Sequence, residues 1–464
     1  DIFSVKALGC EKWLHNGTVW PIKDSKSLGI FNKSICEVLK IIQTTSDENI
    51  RNLLIVQNKL SLEIAGIFQA ILVLDNLKNQ NLSPMVDDDS LYYRTMIDNK
   101  NSINGIYNKY KSKLAPPKGK EISHCMKGTL QKIKYYKFLS YKSSNRTIYS
   151  LDAYENTFLK SYAGMSNSNV KFYPYYDFSS FFRKSKIPSI ELNAVTEELT
   201  KILMKFGEYH NTMIPNNVKN YLNVLIKQTL NQTNYLIQNY YTDLKRLKKR
   251  TFYLPSLGYI HSRAFGIAGK QAGHTIIGST HGNSIGLHDS LNHALIDLPI
   301  VDKYLVATES VANNYSKLAR KYIEGINSPE IVPIQSDYYK ILLRQHKLLP
   351  PVTEIKTIMV LEYPLSETRH NIYSFWPYQA ELMIRLGFFF KSIGIEPIMK
   401  RHPDRLCESD GLYDNSYKRQ LKDPFESVFE QADAYFFMNI SSTTFGFAFT
   451  TNRPIFIFST WLDD

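Results

Sequence analysis

Little in this sequence could tie distant parts of the chain together covalently. Four cysteines, Cys10, Cys36, Cys125 and Cys407, are scattered through 464 residues, and no CxxC pair exists. That excludes a disulfide framework and a zinc-finger spacing, and it fits a reducing cytoplasm. No apolar run reaches the roughly eighteen residues that span a bilayer. The best candidate, Ile64 to Leu74, is short and interrupted. Glycine and proline number only 21 and 19, so collagen-like and low-complexity architectures are excluded. Heptads and internal repeats are also missing. What remains is a chain long enough for two or three domains. It begins with Asp rather than Met, so a trimmed or processed amino end is expected.

Acidic residues are outnumbered, 43 against 56 basic, for a net charge of +13. That balance suits an anionic ligand, polymer or membrane. It comes without an RNA-binding motif or a basic helical stripe, so nucleic acid is not an expected partner. The densest basic run is Lys245, Arg246, Lys248, Lys249 and Arg250. It reads as a solvated helix end favoured by the helix dipole, or as a surface for anionic lipid or acceptor. Asp87-Asp88-Asp89 invites a metal reading, but a solvated loop or helix cap accounts for it.

The most informative stretch runs from Lys400 to Phe458. It holds Arg401-His402-Pro403 after a short strand (Ile395 to Lys400) and a helix from Phe425 to Gln431. A strand from Ala434 to Met438 follows, then the hydroxyl run Ser441-Ser442-Thr443-Thr444 opening a helix. Pro454 to Phe458 is expected as a further buried strand. Ligands of open parallel sheets bind outside the carboxyl ends of the strands. Unpaired N–H groups and hydroxyls at a helix start suit a phosphate. One phosphate site is therefore expected near Ser441, Ser442 and Thr443, with His402 on the neighbouring strand end.

The order His-Pro, an Ala-Asp strand, Ser-Ser, then an Arg-Pro strand resembles the carboxyl-terminal domain of GT-B glycosyltransferases. The likeness is to bacterial surface-polysaccharide enzymes using CMP-sialic acid or CMP-Kdo donors, and to CDP-glycerol glycerophosphotransferases. It covers Ile358 to Phe458 and, in part, Thr251 to Ala307. It implies that His402 and the hydroxyl pair contact the nucleotide phosphate. A second resemblance in the same group is the loop Thr280-His281-Gly282-Asn283-Ser284-Ile285-Gly286 after the strand His274 to Ile277. It implies that His281 faces the cleft from the first domain. A histidine near neutral pKa suits the base that activates an acceptor hydroxyl. Gly282 and Gly286 let backbone approach a ligand. The acidic-acidic-Gly motif usual in CMP-sialyl transferases has no match in the first half, since Asp410-Gly411 lies in the second.

In chain order, Ile50 to Val56 reads as a buried strand and Leu60 to Leu77 as a helix packed on it. Ser83 to Val86 reads as another strand, and Lys109 to Lys120 as a loop. The aromatic cluster Tyr173 to Phe182 reads as core or as a sugar-stacking surface. Ile190 to Lys249 is helical. Phe252 to Pro255, His274 to Ile277, Val301 to Ala307 and Ile331 to Ile334 are strands, with helices over Ile260 to Ala272 and Glu309 to Tyr322. Gln345 to Pro351 reads as a linker, Thr357 to Leu361 as a strand, and Glu362 to Trp376 as a loop. Arg369 on that loop is a candidate phosphate clamp, because guanidinium binds phosphate bidentately.

The expected architecture is α/β and GT-B-like: two Rossmann-like parallel-sheet domains facing a cleft. Residues 1–345 form the acceptor-side domain, with a helical insertion over about 190–250, and 352–464 form the nucleotide-sugar domain. The expected function is transfer of a sugar from a nucleotide-activated, CMP-linked donor to a glycan or lipid-linked acceptor in surface-polysaccharide synthesis. It would proceed without metal or resident cofactor, in the cytoplasm at the inner face of an anionic membrane. His281 would be catalytic. Arg401, His402, Pro403, Ser441, Ser442, Thr443 and Arg369 would bind the donor, with Gly282, Asn283 and Gly286 lining the cleft. A CDP-polyol phosphotransferase and a non-catalytic glycan-binding subunit are the alternatives.

Overall fold

The computed structural model describes residues 24–79, 81, 146–151, 157–172, 190–254, 257–279, 295–334, 337–346, 351–362, 376–402, 406, 409–438 and 443–457. It divides into two compact units, one over 32–281 and 289–335, the other centred on 336–464. The protein is α/β, with one parallel sheet in each unit.

The described residues open with helices α1 (Asp24–Thr44), which enters the first unit at Asn32, α2 (Glu48–Val56) and α3 (Leu60–Asn79). Ile50 to Val56, expected as a buried strand, is therefore helical. A continuous apolar run does not distinguish buried strand from buried helix. The local signal is Asp47, whose side chain accepts the amide protons of Asn49 and Ile50 at 2.8 and 3.1 Å. At the other end Arg263 donates through Nε to Val56 O at 2.9 Å and through Nη2 to Ile55 O, closing the last turn. Helix α3 is apolar on nearly every side. It is long and apolar enough to cross a membrane, yet half of its most apolar window is buried here, with Phe68 against Phe206.

The sheet strands follow as β1 (Thr147–Ser150), helix α4 (Thr157–Met165) and β2 (Asn169–Phe172). Next come the two long helices α5 (Asn193–Tyr209) and α6 (Asn216–Leu244), as the sparse glycine and proline of that stretch predict. Strand β3 (Thr251–Leu254), α7 (Ile260–Gln271), β4 (Thr275–Ser279), β5 (Lys303–Val306), α8 (Glu309–Tyr322) and β6 (Glu330–Pro333) complete the unit. The order across the sheet is β2-β1-β3-β4-β5-β6. Gly273 ends α7 with φ +80, a conformation that strains any residue with a Cβ. Gly266 lets α7 sit close on the sheet, since a Cβ there would lie 2.4 Å from Ile300 Cγ2.

The second unit starts with α9 (Asp337–His346), then β7 (Thr357–Leu361), α10 (Trp376–Ser392), β8 (Glu396–Lys400) and β9 (Arg419–Leu421). It continues with α11 (Phe425–Val428), β10 (Ala434–Phe437), α12 (Thr443–Ala448) and β11 (Ile455–Ile457). The parallel order is β11-β10-β7-β8-β9. Helix α10 covers one face through Ala380, Met383, Ile384 and Phe390; Phe425, Phe429 and Phe445 cover the other. Two details differ from expectation. The last strand is not buried: among the described residues β11 pairs with β10 alone, and Phe456 and Ile457 are 44% and 46% exposed. Gln345 and His346, expected in a linker, belong to α9, where His346 is buried against Phe429.

Candidate functional site

In the second sheet the chain reverses direction at β7. It steps outward to β8 and β9, then returns past β7 to β10 and β11. The ends of β7 and β10 thus mark the switch point where open α/β sheets bind ligands. Glu362 is the first residue after β7, and His402 stands two residues after β8.

These neighbouring ends are joined. The Glu362 amide donates to Lys400 O at 2.9 Å. Its Oε2 accepts the His402 amide at 2.6 Å and Arg401 Nε at 3.3 Å. The Glu362 side chain is buried, and burial pushes its carboxyl above the usual range, while Ser409, the His402 amide and Arg401 pull it back. Lys400 is buried too; its ammonium donates to Arg401 O at 2.7 Å, and burial lowers its pKa.

Arg401 does not face a ligand, contrary to expectation. It is 2% exposed. Its remaining donors go to Gln420 Oε1 at 2.7 Å, Leu406 O at 2.9 Å and Ser409 Oγ at 2.8 Å. Four of its five N–H donors are spent inside the fold and the Asp410 carboxylate stands 3.9 Å from Nη1, so this guanidinium has no free fork for a phosphate. Its work is to hold Glu362 and the turn after β8. His402 is half-buried at the end of that turn.

Thr443 is the first residue of α12, anchored beside β10 by Phe445 against Phe437, ring centroids 5.0 Å apart. Since β7 pairs with both β8 and β10, Glu362, His402 and Met438 share one pole of the sheet. Helix α12 has only six residues, so it adds little dipole to that pole. Pro403, Ser441, Ser442 and Arg369 lie outside the described residues.

The Ala-Asp pair before β10 lies at the opposite pole. Asp433 Oδ2 accepts the amides of Lys356 and Thr357 at 3.0 and 2.9 Å and the Thr357 hydroxyl at 2.9 Å. Burial alone would raise its carboxyl; those bonds and nearby Arg453 hold it below the usual range. The motif is a structural staple of the sheet.

In the first unit, β4 ends on Ser279, whose hydroxyl is 2.6 Å from that of Tyr253 on β3. His281, Gly282, Asn283 and Gly286 follow in sequence but lie outside the described residues, as do Asp87 to Asp89 and the Tyr173 cluster. No group of His, Cys, Asp and Glu among the described residues could hold a metal ion.

Glu362 was missed in the sequence, though a signal was there. It is an acidic residue directly after a buried apolar strand, on the side where ligands bind. No protein-family model, no curated protein and no solved structure matches the chain.

Proposed function

We propose that the chain is a GT-B glycosyltransferase whose second unit binds a nucleotide-activated, CMP-linked donor. The observation that carries this reading is the clamp between Glu362 and His402 at the switch-point pole of the second sheet. A buried carboxylate fixes the backbone from which the His402 imidazole extends. In its protonated form that imidazole neutralises a leaving phosphate, the principal electrostatic task of such a transfer. The hydroxyls of Ser441, Ser442 and Thr443, after the neighbouring strand, supply further donors in this reading. His281 is the base toward the acceptor, a glycan or lipid-linked sugar, and no metal takes part.

A thermal-shift panel of CMP, CDP, UDP, GDP and ADP on wild type, His402→Ala and Ser441→Ala tests it. A ligand that binds only the folded state raises the melting temperature by mass action. Stabilisation by cytidine nucleotides alone, lost in both variants, is expected. A uridine or guanosine preference overturns the donor class, and no response to any nucleotide overturns the site. Turnover of CDP-glycerol in place of CMP-sugars would reassign the reaction to polyol-phosphate transfer.

A further inference from the structure

A cluster of cations stands at the amino-terminal edge of the six-stranded sheet. Helix α6 ends at Leu244, and a short turn leads into β3 at Thr251. On it Lys245, Arg246, Lys248 and Lys249 are exposed, while Leu247 and Arg250 are buried. The Arg250 guanidinium lies 5.0 Å over the ring of Tyr149 in β1. These two anchors hold the turn on the sheet, and the four charges between them face outward. Exposed Arg146 precedes β1, and the register of Ile148 against Thr251 carries it alongside the same turn.

Four other surface lysines of this unit have carboxylate partners. Lys40 and Lys205 meet Glu37, Lys201 meets Glu198, and Lys303 meets Glu330. Among the described residues, none of Lys245, Arg246, Lys248 and Lys249 has a carboxylate at ion-pair distance. Arg246 acts on Asp243 only at longer range, and Lys245 rests 5.2 Å from the Tyr241 ring. Four cations within five residues are thus concentrated on this turn, with no acidic residue among them.

We propose that this pole of the first unit docks on an anionic lipid bilayer. Compact charges on one turn match closely spaced headgroups in a plane. A single-stranded nucleic acid would need cations tracking a groove with aromatic stacking platforms; here Tyr241 is half-buried beneath Lys245 and Tyr149 is buried beneath Arg250. The strands all run away from this edge, so docking leaves their carboxyl ends facing away from the bilayer. The inference stands on charge and topology and does not depend on the transferase reading.

Co-sedimentation of the full chain with phosphatidylcholine vesicles, with and without phosphatidylglycerol, tests it at low and physiological salt. Binding only to phosphatidylglycerol vesicles is expected, weakening as salt screens the patch. The variant K245Q/R246Q/K248Q/K249Q should bind roughly a thousandfold more weakly, while K245R/K248R/K249R keeps its affinity. Both should melt with wild type, since the substituted side chains are exposed. Failure of wild type to bind phosphatidylglycerol vesicles at low salt overturns the proposal. So does undiminished binding by the glutamine variant, or capture of homopolymeric RNA in place of vesicles.

Discussion

The amide of His402 donates to Oε2 of Glu362 at 2.6 Å, across the gap between the ends of two paired strands. The same oxygen receives Arg401, so one buried carboxylate sets the backbone of the histidine and neutralises the residue before it. Sequence order separates these groups, and the β7–β8 pairing brings them together.

Replacing Glu362 by alanine removes the buried partner of Arg401, the two side chains being 0% and 1% exposed, and leaves it only the exposed Asp410 carboxylate at 3.9 Å. Such a loss costs about 3–5 kcal/mol. Glu362→Gln keeps an acceptor and should lie between that variant and wild type. The double variant Glu362→Leu/Arg401→Met should recover most of the loss. Urea denaturation reads all three, and an unchanged midpoint in Glu362→Ala would refute the buried pair.

Glu63 on α3 carries a carboxyl oxygen buried without a hydrogen-bond partner, and burial pushes its pKa up to about 7. Asp297 is pushed up to about 6, also by burial, against the pull of Tyr304 and Arg263. The folded state therefore holds protons that the unfolded chain releases near pH 4. Stability should fall as pH rises from about 4 to about 7 on account of these groups. Glu63→Gln should flatten that slope, gaining on the order of 2 kcal/mol over wild type at pH 8 and nothing near pH 4. Melting curves across this range decide it; a variant parallel to wild type would place the Glu63 pKa near its ordinary value.

Asp433→Ala removes an acceptor of three hydrogen bonds at the amino end of the second sheet. A loss of about 1–2 kcal/mol is expected at neutral pH. The Asp433 carboxyl is held low in the fold, so its contribution is present above the unfolded carboxylate pKa. It disappears as pH falls through the depressed one. Cytidine nucleotide affinity should not change; a loss would return the Ala-Asp motif to the ligand site.

Two glycine-to-alanine substitutions should act in opposite directions. In Gly266→Ala the new Cβ meets Ile300 at 2.4 Å and Leu254 at 3.0 Å, both in the core, and overpacking costs about 1–3 kcal/mol. A Cβ added at Gly66 in α3 would have nothing within 4 Å, so Gly66→Ala should stabilise by about 0.5–1 kcal/mol. Thermal denaturation shows whether the signs differ.

The alternation of strand and helix from Thr251 onward was legible because it is local. Helix α8 occupies Glu309–Tyr322 and strand β7 Thr357–Leu361, the bounds read from apolar spacing. Gly273, expected as a helix stop, has the positive φ that such a stop requires. Strands β1, β2 and β9 escaped notice: each is three or four residues long, and Thr147–Ser150, Asn169–Phe172 and Arg419–Leu421 include polar residues in place of the apolar runs that marked strands of similar length.

Composition and short-range pattern alone determined that this chain builds parallel sheets with helices between, since neighbouring residues set periodicity, capping and turns. Only tertiary structure decided which strands lie side by side, that Ile50 to Val56 coils, and that Arg401 turns inward to Glu362 while His402 stays at the strand end. Those outcomes depend on partners tens to hundreds of residues away: Arg263 for the end of α2, Glu362 for Arg401, and β7 for the placing of β8 beside it. A buried charge takes whichever partner folding brings within reach, and the linear order of residues does not name it.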